Sequence, residues 1–380
     1  MLPGIFDDAL GMQLFGYVTF RVAMAGLTAF LFALWWGNIV IAWLKRHRVV
    51  EDVEKTDLQP ILKPGKVDKR GTPTMGGSFL VASLLVSVLL WCRLDNANVL
   101  LGLVLTAGIA SVGFVDDFLK LTVKDSHGLA RSAKMMGLGL VTLFVVGAFA
   151  YYARTNGRET LLHLYPPFFK NLSIPLGASL IGVLIFVAFE WIVVVGWANA
   201  ANITDGMDGL ATGCMIISGL TLAIFCYVSG RWDWTSYLSI PYVPAASEMA
   251  VMGGALVGSC LGFLWYNAFP AKVFMGDSGS LPIGALLAWM AIVAKQELVL
   301  PLIGAVFFAN LGSSWLQTFW YKRSGGRRIF TCAPVHHGLE RHGGIFHEGA
   351  APWHEVTVVV RAWIVAAACA MLGLALLKVR

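Results

Sequence analysis

The sequence predicts an all-α, polytopic membrane protein of about ten transmembrane helices with both termini outside the cytoplasm. Three observations predict it. The 380 residues are 57% hydrophobic and only 13% charged, with a mean hydropathy of +0.72. Soluble domains carry roughly 25% charged residues. Apolar runs of the length that crosses a bilayer as a helix recur along the whole chain. The Lys and Arg residues gather in alternate connections between those runs.

The first span, 19–44, contains Arg21 and ends at the basic segment 45–73. Spans two and three, 75–92 and 98–118, flank a short connection at Arg93, and segment 119–134 follows. Spans four and five, 134–152 and 178–197, enclose a longer connection, and 198–207 leads to span six, 208–229. Span seven is 248–266, followed by 267–279. Spans eight and nine, 280–295 and 299–320, have the shortest connection, Lys295 to Leu298. Segment 321–355 precedes the last span, 356–377. The connections 45–73, 119–134, 198–207, 267–279 and 321–355 hold 18 of the 28 Lys and Arg. Cytoplasmic loops attract that excess, which puts both termini on the opposite side. The whole chain, 1–380, reads as one membrane domain.

The net charge of +6 is accounted for by those loops, so nucleic acid is not an expected partner. The six cysteines contain no CxxC pair and lie mostly in apolar runs, so they read as small buried residues. Asp7 and Asp8 stand where a signal peptide has its basic region, so none is expected.

Five polar clusters fall in the five cytoplasmic connections or at their edges. "GFVDDFLK" places Asp116 and Asp117 at the end of the third span. A helix C-terminus is the negative end of its dipole, so two adjacent acids there call for cations: Lys120, Lys124 or a metal. A solvated helix end is the plain alternative. "NAANITDGMDGLA" brings Asn199, Asn202, Asp205 and Asp208 together with two glycines that let backbone approach a ligand. Thr204 or Asp205 also suits a helix N-cap. "WYNAFPAKVFMGDSGSL" offers Asp277 as a third carboxylate for a divalent ion, with Ser278 or Ser280 as helix caps. "APVHHGLE" supplies His336 and His337 without the spacing of a tetrahedral zinc site. "KRGTPTMGG" sets Lys69 and Arg70 before a turn, suited to phosphates or anionic lipid. Glu190 lies inside the fifth span, where a charge is costly. Acids for Mg²⁺, glycine turns and lysines suit transfer from a nucleotide-linked phosphate donor to a lipid. No GxxxxGK[ST] is present.

These motifs, with the terminal "LALLKVR", resemble in order those of the bacterial phospho-N-acetylmuramoyl-pentapeptide transferase family. That family sits within the polyprenyl-phosphate N-acetylhexosamine-1-phosphate transferases. The resemblance runs from about residue 19 to the end. It implies that UDP-MurNAc-pentapeptide and undecaprenyl phosphate give lipid I and UMP at the inner membrane, with Mg²⁺ and usually as a homodimer. By matching motif it implies Asp277 as the main Mg²⁺ ligand with Asp117, and Asp116 and Asp117 as the catalytic pair. It places Asn199, Asn202, Asp205, Asp208 and Asn267 along the nucleotide and diphosphate, and Lys120 and Phe274 at the uracil. Lys69, Lys134, His336 and His337 would meet phosphates, and Gln317 would border the sugar-peptide side. Three departures stand out. Gly338 replaces a third histidine, Asn310 stands where Glu is common, and Glu190 where the family is apolar. An exchange of polar partners between the last two is one reading. A UDP-GlcNAc:polyprenyl-phosphate transferase and a secondary transporter are the competing functions. A transporter places its ionisable groups near the midplane.

Overall fold

A computed structural model describes residues 13–47, 71–122, 128–169, 172–349 and 351–379. The chain is helical from α1 (Val18–Arg46) through α2 (Gly77–Trp91), α3 (Ala97–Thr122), α4 (Arg131–Thr155), α5 (Leu180–Thr204) and α6 (Leu210–Ser229). It continues through α7 (Trp232–Leu238), α8 (Ser247–Asn267), α9 (Asp277–Val293), α10 (Leu300–Ile303), α11 (Ala305–Arg323), α12 (Val335–His342) and α13 (Glu355–Val379). Seven of these are long and apolar enough to cross a membrane, and α2 and α9 are shorter apolar helices. The protein is thus an all-α, polytopic membrane protein. Its described strands are one two-residue antiparallel pair, β1 (His163–Leu164) with β2 (Ile174–Pro175).

Three boundaries differ from the sequence reading, and one connection is buried. The ninth span is broken at Gly304 into α10 and α11. Helix α5 continues to Thr204, so Asn199 and Asn202 ride on a helix and not in a loop. Helix α3 runs on to Thr122, so Asp116 and Asp117 sit more than a turn before its end. The short connection at Lys295, Gln296 and Glu297 is buried.

Helix α9 is apolar all round beyond its first turn, and every one of its residues is buried. It packs against α2, α3, α5 and α6 and forms the centre of the bundle. Helices α1 and α8 pack through small residues. Ala25, Ala29, Ala33 and Gly37 recur every four residues on α1. Gly26 of α1 meets Gly254 and Gly258 of α8, and Ala33 meets Gly262. A Cβ at Gly258 would lie 2.0 Å from the Gly26 carbonyl oxygen. Backbones come this close in membrane bundles because the contact lacks side chains. The outer faces carry exposed Leu27, Leu31, Trp35, Phe144 and Trp315, as a lipid-facing surface requires.

Two of the charges inside spans, Arg21 and Glu190, have different surroundings. Arg21 is buried and paired with Glu248 of α8, Nη1 to Oε2 at 2.7 Å and Nη2 to Oε1 at 2.5 Å. Glu248→Gln keeps one acceptor oxygen but leaves a buried guanidinium without its countercharge. Expected is a stability loss of roughly 1–3 kcal/mol, read as a lower melting temperature in detergent. An unchanged melting temperature would show that the pair is energetically neutral. Glu190 is fully buried, and no hydrogen bond among the described residues reaches its carboxylate. Lys295 lies over the ring of Phe186, one turn before Glu190, at 5.1 Å from its centroid. Asn310 lies elsewhere. It touches Thr204, 14 residues beyond Glu190 on the same helix and about 21 Å away along the axis. The two residues therefore do not exchange partners.

Candidate active site

The site forms where α3 crosses the N-terminus of α9. The crossing is close because Gly113 has no side chain: a Cβ there would lie 2.3 Å from the Asp277 carbonyl oxygen. One turn later on α3, Asp117 turns its carboxylate to the start of α9. Its Oδ1 accepts from the Asp277 N–H at 3.2 Å and its Oδ2 from the Ser278 N–H at 2.9 Å. The cap of α9 thus comes from another helix, and the positive end of the α9 dipole stabilises the acid. Ser280 caps nothing, because its hydroxyl donates to the Gly276 carbonyl at 3.0 Å. Gly276 turns the chain into α9 with φ +73, and a Cβ there would meet Asp117 at 2.7 Å.

Asp116, Asp117 and Asp277 are all buried, and a ligand atom from each lies within 4.8 Å of the others. Two lysines enter the same space. The Lys120 Nζ is 2.8 Å from Asp116, 3.6 Å from Asp117 and 3.1 Å from Asp277. Lys120, expected at the base, therefore lies among the acids. Lys134, in the first turn of α4, reaches the same Asp277 oxygen and lies 3.6 Å from Asp116. Asn202 donates to the other Asp277 oxygen and to the Ser280 hydroxyl at 3.0 Å. Asp116 also accepts from the Leu129 N–H at 2.7 Å. Three carboxylates against two ammonium groups leave one formal negative charge. Hard carboxylate oxygens grouped this way could hold a divalent cation. The acids sit late on α3 and at the start of α9, away from the middle of either helix.

The 205–209 turn lies beside this centre, and much of its polar chemistry is spent on its own shape. Asn267 accepts from the Gly209 N–H at 3.1 Å and the Thr212 hydroxyl at 3.0 Å, and donates to the Val273 carbonyl at 3.0 Å. Asn267, expected along the nucleotide, is thus buried as a strut. Asp208 accepts from the Ala271 N–H at 3.0 Å, and its own N–H donates to Glu355 at 2.9 Å. Neither Thr204 nor Asp205 is an N-cap: Thr204 donates to Ala200 within α5, and Asp205 follows that helix. Asn199 donates back to the Val195 carbonyl at 2.8 Å. Phe274 is half-buried. Its backbone is pinned to the 73–76 turn through Pro73 at 2.8 Å and Gly76 at 2.9 Å.

His336 is buried on α12, with its Nδ1 3.0 Å from the Asn310 Oδ1. His337 faces Glu340 at 3.3 Å. Burial, with His337 adding to it, pushes the His336 imidazole down to about 3. Burial therefore favours its neutral form. An unfolded histidine titrates near 6.5. As pH falls from there toward 3, the unfolded chain takes up a proton that the folded chain refuses, so stability is lost across that window. Melting curves in detergent should fall between about pH 6.5 and pH 4. They should fall less steeply for His336→Asn, and parallel curves would contradict this.

Gln317 accepts from the backbone N–H groups of Ile329 at 3.0 Å and Phe330 at 3.1 Å. It borders a cavity of about 390 Å³ with Lys322 and Arg328. Lys69, Arg70 and Lys124 lie outside the described residues. Sequence reading missed Gly113 and Glu355, whose parts rest on contacts between distant elements. It had noted Asn310, but not its contact with His336.

The sequence profile of glycosyl transferase family 4 matches residues 99–295, which contain Asp116, Asp117 and Asp277. Proteins named phospho-N-acetylmuramoyl-pentapeptide-transferase are similar over nearly their full length. That of Neisseria meningitidis serogroup C is 40% identical over 97% of this chain and 96% of its own. That of Thermodesulfovibrio yellowstonii is 38% identical over 100% and 99%, and that of Maricaulis maris 40% over 98% and 97%. An all-α membrane bundle, an acid–lysine centre inside the matched segment and this extent of identity agree: the chain belongs to the phospho-N-acetylmuramoyl-pentapeptide-transferase family, within glycosyl transferase family 4.

Proposed function

We propose that the protein transfers phospho-MurNAc-pentapeptide from UDP-MurNAc-pentapeptide to undecaprenyl phosphate, giving lipid I and UMP. The observation that carries this reading is the three-acid, two-lysine centre, in a chain so similar throughout to enzymes of that name. The reaction exchanges one phosphoanhydride for another. A lipid phosphate oxygen forms the new bond to the sugar-bearing phosphorus, and the bond from that phosphorus to the UMP oxygen breaks. Phosphoryl transfer of this kind needs positioning and charge stabilisation above all.

The residues divide the work by geometry. Both oxygens of Asp117 accept backbone N–H groups of α9, so Asp117 holds the architecture. Asp116 is the member of the pair to receive the proton of the lipid phosphate or to attack the donor. Lys120 and Lys134 balance the carboxylates and are placed to shift onto the incoming phosphates. Asp277 and Asp117 would hold Mg²⁺, which when bound supplies positive charge to the diphosphate. Asp205 lines the diphosphate side, and Phe274 offers its ring to the uracil. Lys322 and Arg328, beside Gln317, suit the carboxylates of a peptide. The loop-charge asymmetry supports a cytoplasmic orientation of this face, and the reaction proposed belongs to a bacterial inner membrane. A homodimer is the assembly that goes with this reading.

Purified full-length protein in detergent decides the substrate. UMP release and a labelled lipid product are expected with UDP-MurNAc-pentapeptide and not with UDP-GlcNAc. The reverse would make the protein a UDP-GlcNAc:polyprenyl-phosphate transferase. No lipid product with either donor would sink both readings.

A further inference from the structure

Hydrogen-bond direction around Asn310 fixes where one proton must sit. Thr204 spends its single hydroxyl proton on the Ala200 carbonyl at 2.8 Å. Toward Asn310 it only accepts, so the amide nitrogen of Asn310 faces it, at 3.2 Å. The amide oxygen therefore faces His336 Nδ1 at 3.0 Å, and an amide oxygen only accepts. His336 Nδ1 carries the proton, and Nε2 carries a lone pair. That Nε2 is buried and has no hydrogen-bond partner among the described residues. It lies 2.8 Å from where a Gly206 Cβ would stand, and His337 Nε2 lies 3.2 Å from the same point. Two imidazole nitrogens thus converge on the space left by the missing side chain of Gly206, which is itself exposed.

We propose that Asn310 is a positioning residue, which holds His336 as the neutral Nδ1–H tautomer and so presents its Nε2 to the Gly206 turn as a hydrogen-bond acceptor. The group this spot takes is a donor, a hydroxyl or amide N–H of the sugar-peptide portion of the substrate, and not a phosphate oxygen, which only accepts. This deepens the proposed transferase reading and rests on it for the identity of the substrate. The charged and titratable groups around His336 are His337 and Glu340 on its own helix and Asp205 beside Gly206. From α11 it is faced by the neutral Asn310, which is itself held by Thr204 of α5. The tautomer is therefore set by a neutral amide, where a carboxylate would accept the same proton and also favour imidazolium.

The test uses full-length, ¹⁵N-histidine-labelled protein in detergent at neutral pH, with the His336 signals assigned by their loss in His336→Gln. Wild type is expected to show a protonated Nδ1 and a bare Nε2. Asn310→Asp is expected to raise the pH at which His336 becomes doubly protonated. Asn310→Leu is expected to move the proton toward Nε2. In turnover, Asn310→Leu should raise KM for UDP-MurNAc-pentapeptide on the order of tenfold, with kcat within about threefold, and Asn310→Asp should recover part of that. A protonated Nε2 in wild type, or a tautomer indifferent to Asn310→Leu, overturns the proposal. So does a KM that does not move. If Asn310→Leu yields no folded protein, the wild-type tautomer and the Asn310→Asp pH profile decide. Wild type inactive on UDP-MurNAc-pentapeptide would overturn the substrate reading instead, and the tautomer result would stand apart from it.

Discussion

Asp277→Asn is expected to lower turnover by roughly 10²–10³-fold or more, the scale of losing one preorganised charge from a water-poor centre. Its two carboxylate oxygens are shared among Lys134, Lys120 and Asn202. An amide at 277 keeps one acceptor and turns an N–H₂ toward groups that are themselves donors. The lysines then fall back on Asp116, and the divalent-ion donor set loses a carboxylate. Folding should survive. The N-terminus of α9 keeps its Asp117 cap, and losing one acid from a first helical turn costs about 0.3–1 kcal/mol. UMP release across a Mg²⁺ titration, with a melting curve on the same preparation, is the measurement. Near wild-type rates at every Mg²⁺ concentration would remove Asp277 from the centre.

Gly113→Ala is expected to cost roughly 10²-fold in kcat although the new methyl touches no reacting group. It would stand 2.3 Å from the carbonyl oxygen of Asp277 and 2.9 Å from the Ser278 Cα. Both are backbone, so no rotamer change relieves the clash, and α3 and α9 must part by about 1 Å to restore van der Waals contact. Asp116 and Asp117 ride on one helix and Asp277 on the other, so the separation enters the site directly. Overpacking of this kind destabilises by roughly 1–3 kcal/mol. Gly147→Ala is the matched control, because its Cβ would meet nothing within 4 Å. If Gly113→Ala stayed within about threefold of wild type, the close approach would not set the catalytic geometry.

Much of this centre was legible in sequence because short motifs carry their chemistry with them. Asp116, Asp117 and Asp277 announced themselves as acids at the ends of apolar runs in a chain poor in charge. Their environment did not. Reading the third span as ending at 118 put the pair against a helix dipole, whereas α3 continues to Thr122 and Asp117 meets the favourable N-terminus of α9. Asn267 and Asp208 looked like ligand-facing polar residues, yet their hydrogen bonds hold backbone together. Composition does not distinguish a polar side chain that lines a site from one that braces it. His336 shows the same limit from the other side. A histidine near basic loops reads as a phosphate partner until burial makes its charged form too costly.

By itself the sequence determined the class of the protein: a helical membrane bundle, the strip of polar motifs along it and the chemistry those motifs permit. Hydropathy, charge bias and motif spacing are local properties, each written within a few tens of residues. Only the tertiary structure decided which acid caps which helix, where two lysines lodge, and how Thr204, Asn310 and His336 direct a proton. The deciding contacts join groups far apart in sequence, such as Asp117 with the Ser278 N–H and Asn310 with Thr204. Which of them meet is set by backbone approach at positions such as Gly113, and that approach is a property of helix packing.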